Sequence, residues 1–409
     1  MEKKDVPVLL LTGYLGSGKT TLVNRILGNR KGIKFAVIVN DIGEVNIDAG
    51  LIQAGGVVAQ KDDSLVALQN GCICCTLKAD LVAQVFDLMK SGKFDYIVIE
   101  ASGICEPEPI AQTICSIPTL GGPYTKYGNC RLDCIVTVVD ALRLRDEFGA
   151  GDELTRQDIG EEDISNLIIQ QIEFCNIILL NKAAEVKPEE LEKIRTIIRT
   201  LQPGAEIIDC NYADVDLDKI LDTKMFNFDK AAMSAGWIRG IESRPTDEEE
   251  EEARNHDHNH HDGEQRHCHE EGHGHHHHHH DEGEAEEYGI STFVYYRRPA
   301  FDINKFDYFV TKKWPKSVIR AKGICYFSDE RGMSYLFEQA GSQKQLRQSG
   351  QWYATAPEED LIQLMQSDPG FMRDWDAKYG DRMEKIVFIG QKMDKEQIIR
   401  DLDDCLEDA

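Results

Sequence analysis

The sequence predicts an α/β domain on a mostly parallel sheet, then a low-complexity linker and a smaller α+β domain, and three observations carry that prediction. Over residues 6–225, short β-rich apolar runs alternate with helical patterns, as they do when crossover helices cover both faces of a parallel sheet. From 241 to 288 the chain turns to Glu, His, Asp and Gly, with few large apolar side chains, so it cannot bury enough surface to offset the entropy of ordering. From 289 on, apolar and aromatic runs return with helical patterns among them. The expected units are 1–240, a disordered linker at 241–288, and a carboxy-terminal domain at 289–409.

In the first unit the expected strands are 6–12, 35–40, 96–101, 134–140, 176–181 and 206–209, with helices after most of them. In the last unit strands are expected at 290–296, 318–327, 334–339, 351–355 and 385–389, and helices at 304–313, 358–366 and 395–405, giving a mostly antiparallel sheet. No internal repeat is apparent.

Composition excludes several classes of function. Apolar runs such as 8–11 and 176–180 fall far short of the ~20 residues that span a bilayer, so no membrane role is expected. The first strand and loop begin within a few residues of Met1, leaving no room for a cleavable signal, and a cytoplasmic chain is expected. The net charge is −26; residues 241–288 hold seventeen acids against three Arg or Lys, which is −14, and the remainder carries −12. Nucleic acid is thereby excluded as a partner. The twelve cysteines read as core residues or metal ligands rather than disulfides, with Cys134, Cys175 and Cys325 in apolar surroundings expected in the core.

The strongest motif is Gly13-Tyr14-Leu15-Gly16-Ser17-Gly18-Lys19-Thr20, with an apolar strand before it and a helical segment, 21–27, after it. This is a phosphate loop in its required context. Its glycines let backbone N–H groups converge on phosphates, Lys19 supplies a cation toward the β and γ groups, and the Thr20 hydroxyl is placed for Mg²⁺. Thr21, next along, joins the nucleotide-binding set.

Later segments should supply the rest of the chemistry. Asp41, in Asn40-Asp41-Ile42-Gly43-Glu44, is placed to reach Mg²⁺, and Glu44 to face nucleotide or a transferred metal. Glu100, at a strand end, is placed to position water, and Gly103 to sense the γ-phosphate. Asn181-Lys182 resembles the guanine-reading Asn-Lys-x-Asp signature, but Ala184 stands where the aspartate would be, with Glu185 beside it. GTP is favoured over ATP on two residues rather than three.

Two segments point to metal. Gly71-Cys72-Ile73-Cys74-Cys75 crowds three thiols into four residues. Thiolates are soft ligands suited to Zn²⁺, although closely spaced cysteines also exchange disulfides, so a redox role is the alternative. All thirteen histidines fall between His256 and His280, comprising His256, His258, His260, His261, His267, His269, His273 and the run 275–280. An expression tag fits this irregular internal pattern poorly, and a metal-free low-complexity linker is the other bland reading. With carboxylates alongside, the segment reads as a metal-gathering arm.

Together the phosphate loop, the 40–44 and 100–103 segments, the cysteine loop and Asn181-Lys182 resemble the CobW-type metallochaperone GTPases. They are most similar to the branch of zinc chaperones and zinc-regulated GTPase metalloprotein activators. The His-rich linker and the ending at 380–389 extend the resemblance to nearly the whole chain. It implies a GTPase that binds zinc at Cys72, Cys74 and Cys75 and couples hydrolysis to metal delivery into a client metalloprotein, with a metal- or nucleotide-dependent dimer as one assembly. Two departures stand out, Asp41 where Glu is usual and Ala184 in place of the base-reading aspartate. Cobalt or nickel insertion, of cobalamin or nitrile-hydratase type, and zinc buffering with little turnover are the rival readings.

Overall fold

The computed structural model describes residues 5–28, 32–39, 65–67, 78–122, 124–149, 162–232, 235, 238, 288–340, 343–357, 360–361 and 375–407. The chain divides into two compact units, Met1–Gly236 and Trp237–Ala409.

The first unit is built on seven parallel strands: β1 (Asp5–Thr12), β2 (Phe35–Val39), β3 (Leu65–Ala67), β4 (Tyr96–Glu100), β5 (Asn129–Asp140), β6 (Ile177–Asn181) and β7 (Glu206–Asp209). They lie in the order β3-β2-β4-β1-β5-β6-β7. β2, β4 and β6 are buried at every position, the mark of strands covered on both faces, and that is why they read as unbroken apolar runs. Helices α1 (Lys19–Leu27), α2 (Lys78–Ser91), α3 (Pro107–Ser116), α4 (Ala141–Gly149), α5 (Glu162–Glu173), α6 (Pro188–Leu201) and the short α7 (Phe228–Ala232) connect or follow them. α6 shows how the sequence sets a helix. Pro188 occupies the first turn with Glu189 and Glu190, where the helix dipole favours negative charge, and Ile194, Ile197, Ile198 and Leu201 form the buried stripe.

β5 begins five residues before its expected start, because Arg131 and Asp133 interrupt the apolar pattern. Asp133 is fully buried and accepts from the Tyr96 hydroxyl at 2.6 Å, Arg131 at 2.9 Å, and the N–H groups of Thr223 and Lys224 at 3.0 and 2.7 Å. β3 was not expected from the sequence.

In the second unit an antiparallel sheet takes the order β11-β10-β9-β12-β8, from β8 (Ile290–Arg297), β9 (Val318–Cys325), β10 (Met333–Ala340), β11 (Gln343–Gln351) and β12 (Glu384–Gln391). Helices α8 (Ile303–Tyr308) and α9 (Lys395–Asp403) bury Phe306, Ile398 and Leu402 in its aromatic core, where Phe293 stacks on Phe388 at 5.0 Å. Three expectations need correction. The strand expected at 351–355 is the end of β11 followed by a single 3₁₀ turn, Tyr353–Thr355. β11 escaped notice because it is a polar edge strand with no buried positions to give a period of two. The helix expected at 304–313 ends as an α-helix at Tyr308 and widens into a π turn, Phe309–Lys313, which places both Phe309 and Val310 in the core. The helix expected at 358–366 falls almost wholly outside the described residues, as does the linker at 241–288 apart from Tyr288. Among the described residues no helix is long and apolar enough to cross a membrane.

Burial alone would raise the Asp133 carboxyl, but the bonds from Tyr96, Lys224, Arg131 and Thr223 outweigh it and hold the group below the usual carboxylate range. A depressed folded pKa contributes stability that is complete above the unfolded value of ~3.9 and is lost as pH falls through the folded value. Asp133→Ala, which strands the Tyr96 hydroxyl and two N–H groups, should cost about 3 kcal/mol at neutral pH. Urea denaturation should also show the variant losing less stability than the parent as pH is lowered below about 5.

Candidate nucleotide site

The ends of β4, β5 and β6 and the turn after β7 come together around the loop between β1 and α1. Gly13 and Gly16 turn this loop with φ of 134° and 76°. The Lys19 side chain is nearly buried and reaches back across the loop to the carbonyls of Gly13 at 2.7 Å and Tyr14 at 3.2 Å. Ser17 is 1% exposed and its hydroxyl is buried with no hydrogen-bond partner among the described residues. An orphaned hydroxyl in a loop of this glycine-rich pattern fits an anionic ligand that completes the loop. Thr21 lies solvent-exposed in the first turn of α1.

On the β4 side, Glu100 is 1% exposed and its carboxylate accepts from the Thr20 hydroxyl at 3.1 Å. A hydroxyl and a carboxylate are the hard oxygen donors that Mg²⁺ selects, so this pair fits the ion the motif implies. Three residues on, Gly103 lies against the phosphate loop, where a Cβ would come within 2.7 Å of the Leu15 backbone nitrogen. Only glycine permits this approach, and it brings the expected phosphate sensor to the loop it is expected to sense.

Sequence reading missed the residue that holds that sensor. Gln171, on α5 and 1% exposed, donates through its amide to the carbonyls of Gly103 and Cys105, each at 3.2 Å. Its main-chain carbonyl accepts from the Thr137 hydroxyl, which also pairs with Thr12 at 2.7 Å. A glutamine on an amphipathic helix gives no signal of this kind in the sequence.

On the β6 side, Asn181 is 3% exposed and both ends of its amide are occupied. Nδ2 donates to the Ser17 carbonyl at 2.7 Å, and Oδ1 accepts from the Ala213 N–H at 3.0 Å. Gly18 makes room, since a Cβ there would lie 2.4 Å from that Nδ2. Asn181 therefore ties the phosphate loop to the turn after β7. Lys182 takes a left-handed φ of 61° and pairs with Asp140 at the end of β5.

Asp41, Glu44, Cys72, Cys74, Cys75 and the histidines from His256 to His273 lie outside the described residues, and among the described residues no cluster of three or more His, Cys, Asp or Glu could hold a metal. The expected core cysteines behave as such. Burial pushes the thiols of Cys134 and Cys175 up to about 12 and leaves them protonated, and burial likewise raises Cys325 well above its ordinary value.

Gln171→Leu should lower the kcat of nucleotide hydrolysis about tenfold while nucleotide affinity stays within about threefold, because the loop it positions bears on the reacting end rather than on binding. Steady-state kinetics beside a binding titration checks this, and an affinity loss equal to the rate loss would refute it.

Residues 7–209 match the family model described as CobW/HypB/UreG, nucleotide-binding domain, and residues 290–406 match the cobalamin synthesis protein cobW C-terminal domain. The zinc-regulated GTPase metalloprotein activator 1 of Dictyostelium discoideum is 33% identical over 98% of this chain and 80% of its own. The zinc chaperone CobW of Pseudomonas aeruginosa is 30% identical over 53% of this chain and 59% of its own. A solved structure, the Zn(II)-bound YjiA GTPase from E. coli, aligns over 99% of this chain and 100% of that one at 19% identity, with a TM-score of 0.40. With both family domains matched in order and a relative alike over nearly the whole of this chain, the chain belongs to the CobW family of P-loop GTPases.

Proposed function

We propose that this protein is a GTP-hydrolysing metallochaperone that carries zinc on Cys72, Cys74 and Cys75 and couples its nucleotide cycle to transfer of the ion into a client metalloprotein. The observation that carries the proposal is the 3.1 Å contact between Thr20 and Glu100, which joins the phosphate loop to the strand whose end leads into Gly103. Loss of the γ-phosphate is therefore felt directly by the 100–103 segment.

Lys19 neutralises the β- and γ-phosphates, and Glu100 orients the attacking water from a buried position where its field is little screened. Mg²⁺ held by Thr20, with Asp41 or Glu100, would supply the remaining charge neutralisation. Gly103, fixed through Gln171, transmits the presence of the γ-phosphate. The proposed mechanism then links this change to the geometry of the three thiolates and, with Glu44, to release of the ion. The histidine-rich arm, with His256, His258, His260, His261, His267, His269 and His273, keeps weakly held metal at high local concentration and refills the site. Three thiols favour zinc over cobalt or nickel, and the names of the Dictyostelium and Pseudomonas relatives support the same ion.

GTP turnover by the full chain should respond to an added equivalent of Zn²⁺, and a variant with serine at positions 72, 74 and 75 should lose that response while retaining basal turnover. Turnover indifferent to zinc would instead leave a metal buffer. Lys19→Ala should reduce GTP hydrolysis by about 100-fold or more, with zinc stoichiometry unchanged in metal analysis of the purified protein.

A further inference from the structure

Two turns, 181–185 after β6 and 210–214 after β7, form the wall beside the phosphate loop. The reacting end of a nucleotide lies toward Glu100 and Gly103 on the β4 side. The loop's opposite flank, through Ser17 and Gly18, abuts Asn181, so the base falls against these two turns.

Most of the polar groups there are already committed. Asn181 spends its oxygen on the Ala213 N–H and one of its two amide hydrogens on the Ser17 carbonyl, and the other could reach only a ring nitrogen that guanine and adenine share; Lys182 is paired with Asp140. The Asp214 carboxylate is held by Arg25 at 2.8 Å. Ala184 offers a methyl group, and Glu185 is solvent-exposed with no hydrogen bond to the 210–214 turn among the described residues. Tyr212 is 77% exposed, and its hydroxyl donates or accepts alike, so it cannot discriminate.

Asn211 differs from all of these. It is half-buried, and its Oδ1 accepts from the Ala184 N–H at 2.9 Å. That N–H fixes the orientation of the amide: oxygen faces residue 184, and the NH₂ group is left to present donors only. The turn is pinned as well, since the Arg25 guanidinium also donates to the Tyr212 carbonyl at 2.8 Å.

We propose that Asn211 is the base-reading residue of this protein, and that it reads the 6-oxo group alone. The proposal rests on the reading of this site as a GTP site. Guanine and hypoxanthine both carry an acceptor oxygen at position 6, which the Asn211 amide satisfies. Adenine carries an amino group there, and a donor would face a donor. The N1 and 2-amino hydrogens of guanine need a carboxylate, and position 184 supplies none. Guanine and inosine nucleotides are therefore equivalent to this site, and adenine nucleotides are rejected.

The test is equilibrium binding of GDP, IDP and ADP to the full chain by calorimetry, with diphosphates chosen so that hydrolysis does not intervene. IDP should bind within about threefold of GDP, and ADP about tenfold or more weaker. Ala184→Asp should create a preference for GDP over IDP of about tenfold or more, a gain that misfolding cannot produce. Asn211→Asp, which keeps an oxygen for the Ala184 N–H but turns the outward group into an acceptor, should narrow or reverse the preference for GDP over ADP. A parent protein that already binds GDP tenfold tighter than IDP, and loses this in Glu185→Gln, would make Glu185 the reader and overturn the proposal while leaving the GTP site intact. Failure of all three diphosphates to bind would overturn the GTP site itself.

Discussion

The Asn181 side-chain amide is the fixed point of the nucleotide site. By donating to the Ser17 carbonyl at 2.7 Å it holds that peptide's acceptor toward the β6 side of the loop. By accepting from Ala213 it sets the turn after β7 against the same loop. The arrangement demands a strand ending at this height, a glycine at 18 to admit the amide, and a short polar side chain that fills both roles. Remove the amide and two buried backbone groups lose their partners at once, while the phosphate loop and the base wall lose their common reference.

The opposite flank is built on different physics. There the contact between Thr20 and Glu100 is polar and bears on the reacting end, and the approach of Gly103 to Leu15 is steric. Gln171 holds the 103–105 segment through two carbonyls, by bonds that have direction and length. Both flanks of the loop are thus held by a few directional bonds to side chains from other elements.

The legibility of this molecule followed where chemistry leaves a local trace. β2, β4 and β6 were readable because burial on both faces demands unbroken apolar runs, and the phosphate loop because its glycines, Lys19 and Thr20 must be contiguous. The start of β5 was hidden because Arg131 and Asp133 pair with each other and take their further partners from Tyr96 and the 222–224 turn, far away in sequence. β11 was hidden because an exposed edge has no inward face. Gln171 and Asn211 were invisible for a related reason, since each acts on backbone groups of another element. The cysteines divide along the same line. Burial marks Cys134 and Cys175 as neutral packing thiols, whereas the three at 72–75 are legible only as a crowd.

Tyr212 and Ala213 sit side by side at φ of 54° and 50°, left-handed conformations that cost about 1–2 kcal/mol apiece for residues with a Cβ. The turn is held there by Arg25, on the last turn of the same helix whose first turn carries Lys19 and Thr20. One short rigid rod thus touches both ends of the nucleotide site, with no flexible segment between them to absorb a displacement. Tilting α1 at its phosphate end moves the grip at the other, and a turn released from that grip relaxes downhill. The left-handed backbone of two residues is thereby tied to the position of the helix end that carries Lys19 and Thr20.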